Sequence, residues 1–254
     1  MMTELVHLDV ADGIATVTLD SPRNRNALSR QLVSELHQHL RTAMDDTAVR
    51  AVVLTGTGPV FCAGADLKER RTSTDEQPGT SFADVLSLIM TGPVPVIVKM
   101  NGPARAGGLG MVAAADIAIA PADATFAFSE VRIGVAPAMI AVPCSRKMTP
   151  RGISRYFLSG ETFDASTALD IGLVSMVSDD VDAACEELVA AFRLGAPGAL
   201  RAAKALIPQA REGDVAGALE MMEKESARLF AGPEAQEGMA AFVEKRAPAW
   251  VSGT

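Results

Sequence analysis

The chain is short of aromatic side chains, of histidine and of cysteine, and it carries no surplus of positive charge. Aromatics make up 4% of its 254 residues, and 23 Lys and Arg are set against 31 Asp and Glu, for a net charge of −8. No basic stripe is interleaved with aromatics, which argues against a nucleic-acid surface. Any anionic ligand would need positive side chains gathered locally. Cys62, Cys144 and Cys185 are odd in number and lack C-x-x-C spacing, so neither a disulfide framework nor a zinc site is expected; they read as small buried residues. His37 and His39 lie two apart on an expected helix and cannot share a face, and His7 falls in the first strand. With no G-x-S-x-G elbow, a histidine triad lacks its parts. No apolar run reaches the roughly 18 residues of a membrane span. The start Met1-Met2-Thr3-Glu4 has no basic n-region, so a cytoplasmic location is expected.

What is present is a core. The hydrophobic share is 48% and the mean hydropathy +0.21, enough for one large domain with an appendage. Leu5–Val10 and Ile14–Leu19 read as a hairpin across Ala11-Asp12-Gly13. Ser29 caps a helix with apolar positions at Leu32, Val33, Leu36, Leu40 and Met44, followed by a buried strand over Ala51–Thr55. Arg70 to Thr80 is polar and contains Pro78-Gly79, the pattern of a mobile surface segment. Phe82, Val85, Leu86, Ile89 and Met90 form a helical stripe. Thr125–Phe128 is a strand; Thr149-Pro150 opens a helix to Leu158, Asp164 opens another stopped by Gly172, and Leu173–Val177 is a last strand. Helices then cover Ala183–Leu194, Ala199–Ile207, Val215–Phe230 and Glu234–Arg246. The order gives an α/β core over residues 1–198 and a helical region over 199–254 that serves packing or subunit contact.

The centre of the pattern runs from Val96 to Asp116: a β-branched strand, a loop over Asn101–Ala106, then Gly107-Gly108 opening a short alanine-rich helix. The first N–H groups of such a helix have no intrahelical acceptor and favour developing negative charge. Gly108-Leu109-Gly110-Met111-Val112-Ala113 also fits a dinucleotide fingerprint with Glu130 as its distant acid. That reading fails, because a loop separates the glycines from their strand and another strand, Ile117–Ala120, intervenes before Glu130. Val60–Glu69 repeats the central design of small residues before a helix start.

Five ordered motifs carry a resemblance across the whole chain: Asn26–Ser29, Phe61–Glu69, Asn101-Gly102 through Gly107-Gly108, Ser129-Glu130-x-x-Ile133-Gly134, and Glu237–Pro248. Together they resemble the crotonase superfamily of enoyl-CoA hydratases and isomerases. The resemblance implies a spiral of β-β-α units with a C-terminal helical trimerisation region, assembled as a homotrimer or dimer of trimers. It implies a coenzyme A thioester as substrate and no tightly bound cofactor. The thioester oxygen would be held by the N–H groups of Ala65 and Gly107, with Glu130 as acid and base. Ala63, Asp66, Leu67 and Lys68 would line the adenine and pantetheine path, Phe242 and Lys245 would reach the CoA nucleotide, and Arg23, Arg25 and Gly108 would belong to the same CoA-binding set. Without the motifs, Arg23, Lys68 and Lys245 would read as solvated surface charge.

The chain departs from that pattern twice. Hydratases with two carboxylates carry a glutamate where this chain has Gly110, and glycines where it has Pro137-Ala138-Met139-Ile140. An apolar wall beside Glu130 would raise its pKa. Gly108-Leu109-Gly110 and Ser129–Arg132 are similar to segments of bacterial hydratases of branched substrates, which implies hydration of a 2-enoyl-CoA. A double-bond shift, for which one carboxylate suffices, is the alternative, and acyl-CoA binding without catalysis is a third reading. Glu69 is the first candidate for a second acid or base; Gly110→Glu would restore the missing one and bring hydration, provided Met139 leaves room for the water.

Overall fold

The computed structural model describes residues 3–72, 80–211 and 213–251. It opens with an antiparallel hairpin, β1 (Val6–Ala11) and β2 (Ile14–Leu19), turned by Asp12 and Gly13 at positive φ. A 3-10 turn over Pro22–Asn24 precedes α1 (Arg30–Asp45), whose first turn is capped by the Ser29 hydroxyl accepting from the Leu32 N–H. Next come β3 (Ala51–Gly56), α2 (Leu67–Thr72), α3 (Phe82–Thr91), β4 (Val96–Lys99), β5 (Ala104–Arg105), α4 (Gly107–Ala114), β6 (Ile117–Pro121) and β7 (Thr125–Ala127). A 3-10 turn over Ser129–Ile133 leads to α5 (Ala138–Lys147), α6 (Pro150–Ser159), β8 (Phe163–Asp164), α7 (Ala165–Asp170) and β9 (Met176–Ser178). The chain closes with α8 (Val181–Leu194), α9 (Pro197–Gln209), α10 (Val215–Phe230) and α11 (Pro233–Glu244). Of the segment expected to be mobile, residues 73–79 lie outside the described residues, and those up to Thr72 continue α2.

Six strands form one sheet in the order β1-β2-β3-β4-β6-β9, parallel everywhere except at the opening hairpin. A second sheet, β5-β7-β8, sits where the chain turns from α4 toward the Glu130 segment. Side chains alternate across the large sheet: Val52 and Leu54 join the main core with Leu32, Leu36 and Leu109, while Ala51 and Val53 face Cys185 and Val189 of α8. Each such Leu or Val removed from water contributes roughly 1.5–3 kcal/mol. Helix α4 lies inside this layering, with every residue from Gly108 to Ala114 buried.

Four helices and strands differ from the sequence reading. Helix α5 was not expected, since Pro137 precedes it and Pro143 lies within it; it survives because Ile140, Pro143 and Cys144 are buried and tertiary packing outweighs one lost helical hydrogen bond. The two-residue strands β5 and β8 are too short to leave a periodicity. The last strand begins at Met176, because the N–H groups of Leu173 and Val174 both donate to the Ala168 carbonyl and so close α7.

The helical region is fastened by Lys204 of α9, which is 7% exposed. Its Nζ donates to the carbonyls of Ile89 at 2.8 Å and Val94 at 3.0 Å, and meets Asp116 Oδ2 at 2.9 Å. Among the described residues no helix is long and apolar enough to cross a membrane.

Candidate active site

Two backbone turns meet between β3 and α4. Gly64 stands at φ 88°, and a Cβ there would fall 2.8 Å from Ala106 Cβ and 3.1 Å from the Arg105 carbonyl. Only glycine allows that approach. Ala106 stands at φ 47° and ψ −120°, a conformation that costs an alanine about 1–3 kcal/mol. The surrounding bonds enforce it: the Ala106 N–H donates to the Ala127 carbonyl at 3.1 Å, and Arg105 donates to the carbonyls of Ala104 and Thr125. The result is two unspent donors. Leu28 pairs with Gly64 and Asp66 on either side of Ala65, and Gly107 is the first residue of α4. Among the described residues neither the Ala65 N–H nor the Gly107 N–H has an acceptor. Paired donors at a helix start are the arrangement that stabilises an oxyanion.

Both residues open on a cavity of about 600 Å³, whose walls include Leu28, Phe82, Ile133, Val135, Met139 and Ile140. Glu130 lines the same cavity, presented by the 3-10 turn over Ser129–Ile133. The turn is firmly seated, for the chain's scarce aromatics gather beneath it. Phe128 packs on Phe157 at 4.5 Å and on Phe163 at 6.0 Å, and Phe163 in turn meets Phe126 and Tyr156. Glu130 Oε2 is buried with no hydrogen-bond partner. Burial pushes the Glu130 carboxyl above the ordinary range, the shift expected of a group that must hold and release a proton. A buried polar atom left unpaired in a cleft is a mark of function more than of stability.

The cysteines take no part. Burial pushes the Cys62 and Cys144 thiols up to about 12, with the charge of Glu130 adding to the effect at Cys144, so neither is a thiolate at neutral pH. Among the described residues no group of three His, Cys, Asp or Glu is placed to hold a metal.

The sequence model for enoyl-CoA hydratase/isomerase matches residues 9–253. The chain belongs to the enoyl-CoA hydratase/isomerase family. It is 32% identical over 250 residues to the zebrafish (Danio rerio) enoyl-CoA hydratase domain-containing protein 3, mitochondrial, covering 94% of this chain and 84% of that one. The crystal structure of an enoyl-CoA hydratase from Shewanella pealeana superimposes with a TM-score of 0.90 at 31% identity, over 97% of this chain and 96% of the other. An enoyl-CoA hydratase from Mycobacterium avium is 42% identical with a TM-score of 0.71, over 98% of this chain and all (100%) of that one. The mixed α/β fold expected from the motifs is therefore that of the crotonase superfamily.

Within this family member, the expected site residues separate into two groups. Ala63, Ala65, Leu67, Gly107 and Glu130 line the cavity together. The others do not line it. Gly108 is buried against Cys62, where a Cβ would fall 2.8 Å from the Cys62 carbonyl, so it serves the close approach of α4 to that segment. Asp66 spends its carboxylate on α2, accepting from the N–H groups of Lys68 and Glu69, and on the Asn24 amide at 2.7 Å. Those bonds hold its pKa below the usual range. Arg23, Arg25 and Lys68 are exposed beside this corner, and Phe242 and Lys245 lie at the exposed end of α11. Glu69 does line the cavity, with its carboxylate accepting from the Arg30 N–H at 2.9 Å.

Sequence reasoning missed two residues. Asn26 is fully buried at φ 52°, accepts from the Ser21 N–H and donates to the carbonyls of Thr57 and Val60, so it pins the loop beneath Leu28 and Ala65. A motif asparagine among loop residues was the available signal. Ile140 is the other: it stood out only as part of the Pro137–Ile140 stretch, with no sign that it meets Gly110. The side chain that a glutamate there would meet first is Ile140: a Cβ on Gly110 would collide with Ile140 Cγ2 and lie 3.1 Å from Ile140 Cβ.

Proposed function

We propose that this family member moves a proton on an enoyl-CoA thioester with Glu130 as its sole acid and base, shifting the double bond between the 3- and 2-positions. The observation that carries the reading is Glu130 itself, which lines the same cavity as two unspent N–H groups and whose Oε2 is buried without a hydrogen-bond partner. The thioester oxygen accepts from Ala65 and Gly107, which acidifies the α-carbon. Glu130 takes a proton from C2 of a 3-enoyl-CoA, the charge spreads over the thioester oxygen and the dienolate, and the same carboxylic acid returns the proton at C4. One carboxylate closes that cycle, and an apolar wall keeps water away from the dienolate.

Hydration is the second reading, because Glu69 shares the cavity and could position a water opposite Glu130. It asks for a second group near the reacting carbons. The CoA nucleotide would extend past Ala63 and Leu67 toward Lys68, Arg23 and Arg25, giving an acidic protein the local positive charge its polyanionic substrate needs. Phe242 and Lys245 would reach that nucleotide from a neighbouring copy in a trimer or a dimer of trimers. Glu130→Gln, assayed on a 3-enoyl-CoA, tests the reading: kcat should fall at least about a hundred-fold with thioester affinity little changed. Retention of the shift in that variant would remove Glu130 from the mechanism.

A further inference from the structure

We propose that Ile140 decides which reaction this site performs, by occupying the space that a second carboxylate on α4 would need. The inference rests on the double-bond-shift reading. Gly110 lies in the first turn of α4, three residues after the Gly107 donor, and is fully enclosed. A Cβ built on it meets Ile140 Cγ2 and Cβ, with Leu86 Cδ2 at 3.5 Å behind them. The colliding atom is a branch at Cβ rather than the far end of a flexible chain, and Ile140 is only 3% exposed. A β-branched residue is stiff at χ1, so a small adjustment of the side chain does not relieve the collision. Gly110 and Ile140 are thus one feature: the first has no side chain because the second holds its volume.

The same isoleucine lines the cavity that Glu130 lines. A side chain growing from position 110 would therefore enter the cavity through the space Ile140 fills. With Ile140 in place the wall is apolar, and a water molecule has no carboxylate there to orient it for attack on C3. With a small residue at 140 and a glutamate at 110, it would have one. The first arrangement suits return of the proton at C4; the second suits addition of water across C2 and C3, with the hydroxyl on C3 and the proton on C2.

The experiment compares Gly110→Glu, Ile140→Ala and the double variant by melting temperature and by rates on 2-enoyl- and 3-enoyl-CoA. Gly110→Glu alone should melt several degrees lower and gain no hydration. The double variant should recover more stability than the two single changes predict by addition. Its ratio of hydration to double-bond shift should exceed that of Ile140→Ala by about a hundred-fold, the usual worth of a general base. Two results would overturn the proposal: Gly110→Glu hydrating as fast as the double variant, or a double variant that is stability-coupled yet hydrates no faster than Ile140→Ala. Failure of the underlying reading shows elsewhere, as a wild-type protein that does not shift a 3-enoyl-CoA, while the coupling in melting temperature still reports on Ile140.

Discussion

Helices α4 and α10 are opposites. Helix α4 has 8 residues, carries no charge and is buried from its second residue to its last. Helix α10 has 16 residues and none that is buried, with Val215, Leu219 and Phe230 at 78%, 65% and 61% exposure. The short helix aims a backbone donor, and its direction is set by contacts on every side. The long one is amphipathic with its apolar face uncovered by this chain, the condition of a surface that another protein covers. The chemistry of this molecule is thus assembled from what a single chain can bury, and its periphery from what it cannot.

The comparison breaks most sharply at the buried end. Glu130→Gln should cost about a hundred- to ten-thousand-fold in kcat, and it should also stabilise the fold. Because burial raises the folded-state pKa of Glu130, the native state holds a proton that the unfolded chain has already released. Wild-type stability therefore falls as pH rises from the ordinary carboxylate range through that raised value, and stays lower above it. The glutamine variant should melt higher than wild type at neutral pH, with the gap vanishing in acid below the ordinary carboxylate range; a gap independent of pH would contradict the assigned burial cost. Gly64→Ala comes next. A methyl at φ 88°, 2.8 Å from Ala106 Cβ, should push the two donor turns apart and lower kcat about a hundred-fold, the worth of one oxyanion donor. Unchanged kinetics would show that the donors do not depend on that approach.

Two further changes act on stability and association rather than on rate. Lys204→Met should destabilise by about 3–5 kcal/mol, since it strips the buried partner from Asp116 and from the carbonyls of Ile89 and Val94. At about 2–4 °C per kcal/mol, thermal denaturation would show it plainly. The smallest expected change is Leu219→Asp on α10, within about 0.5 kcal/mol for the isolated chain. On the proposed trimer reading, its effect should appear in sedimentation as a loss of association. A large stability loss without any change in association would mean that α10 packs on its own chain.

Much of this was legible in the sequence for a physical reason: Leu32, Leu36 and Leu40 repeat with the helix period, Thr149-Pro150 and Asp164 are caps, and Gly107-Gly108 after a buried strand marks a donor turn. The 3-10 turn that carries Glu130 and helix α5 were not, because their conformations are set by packing. Phe128 and Phe163 hold the turn from below, and α5 contains Pro143, which local propensity would reject. Gly110 and Pro137–Ile140 stood out as separate oddities, and only contact in space joins them. The motif residues at the corner of the cavity divided differently: Asp66 is committed to capping α2, a role visible in its spacing from Lys68 and Glu69.

The most direct test of the account is product analysis of the wild-type protein with a 3-enoyl-CoA and a 2-enoyl-CoA in water labelled in oxygen and hydrogen. Glu130 acting alone predicts interconversion of the two substrates, hydrogen label entering at the carbons that exchange protons, and no labelled oxygen in either product. A 3-hydroxyacyl-CoA carrying labelled oxygen, formed faster than the double bond moves and persisting in Glu130→Gln, would contradict it.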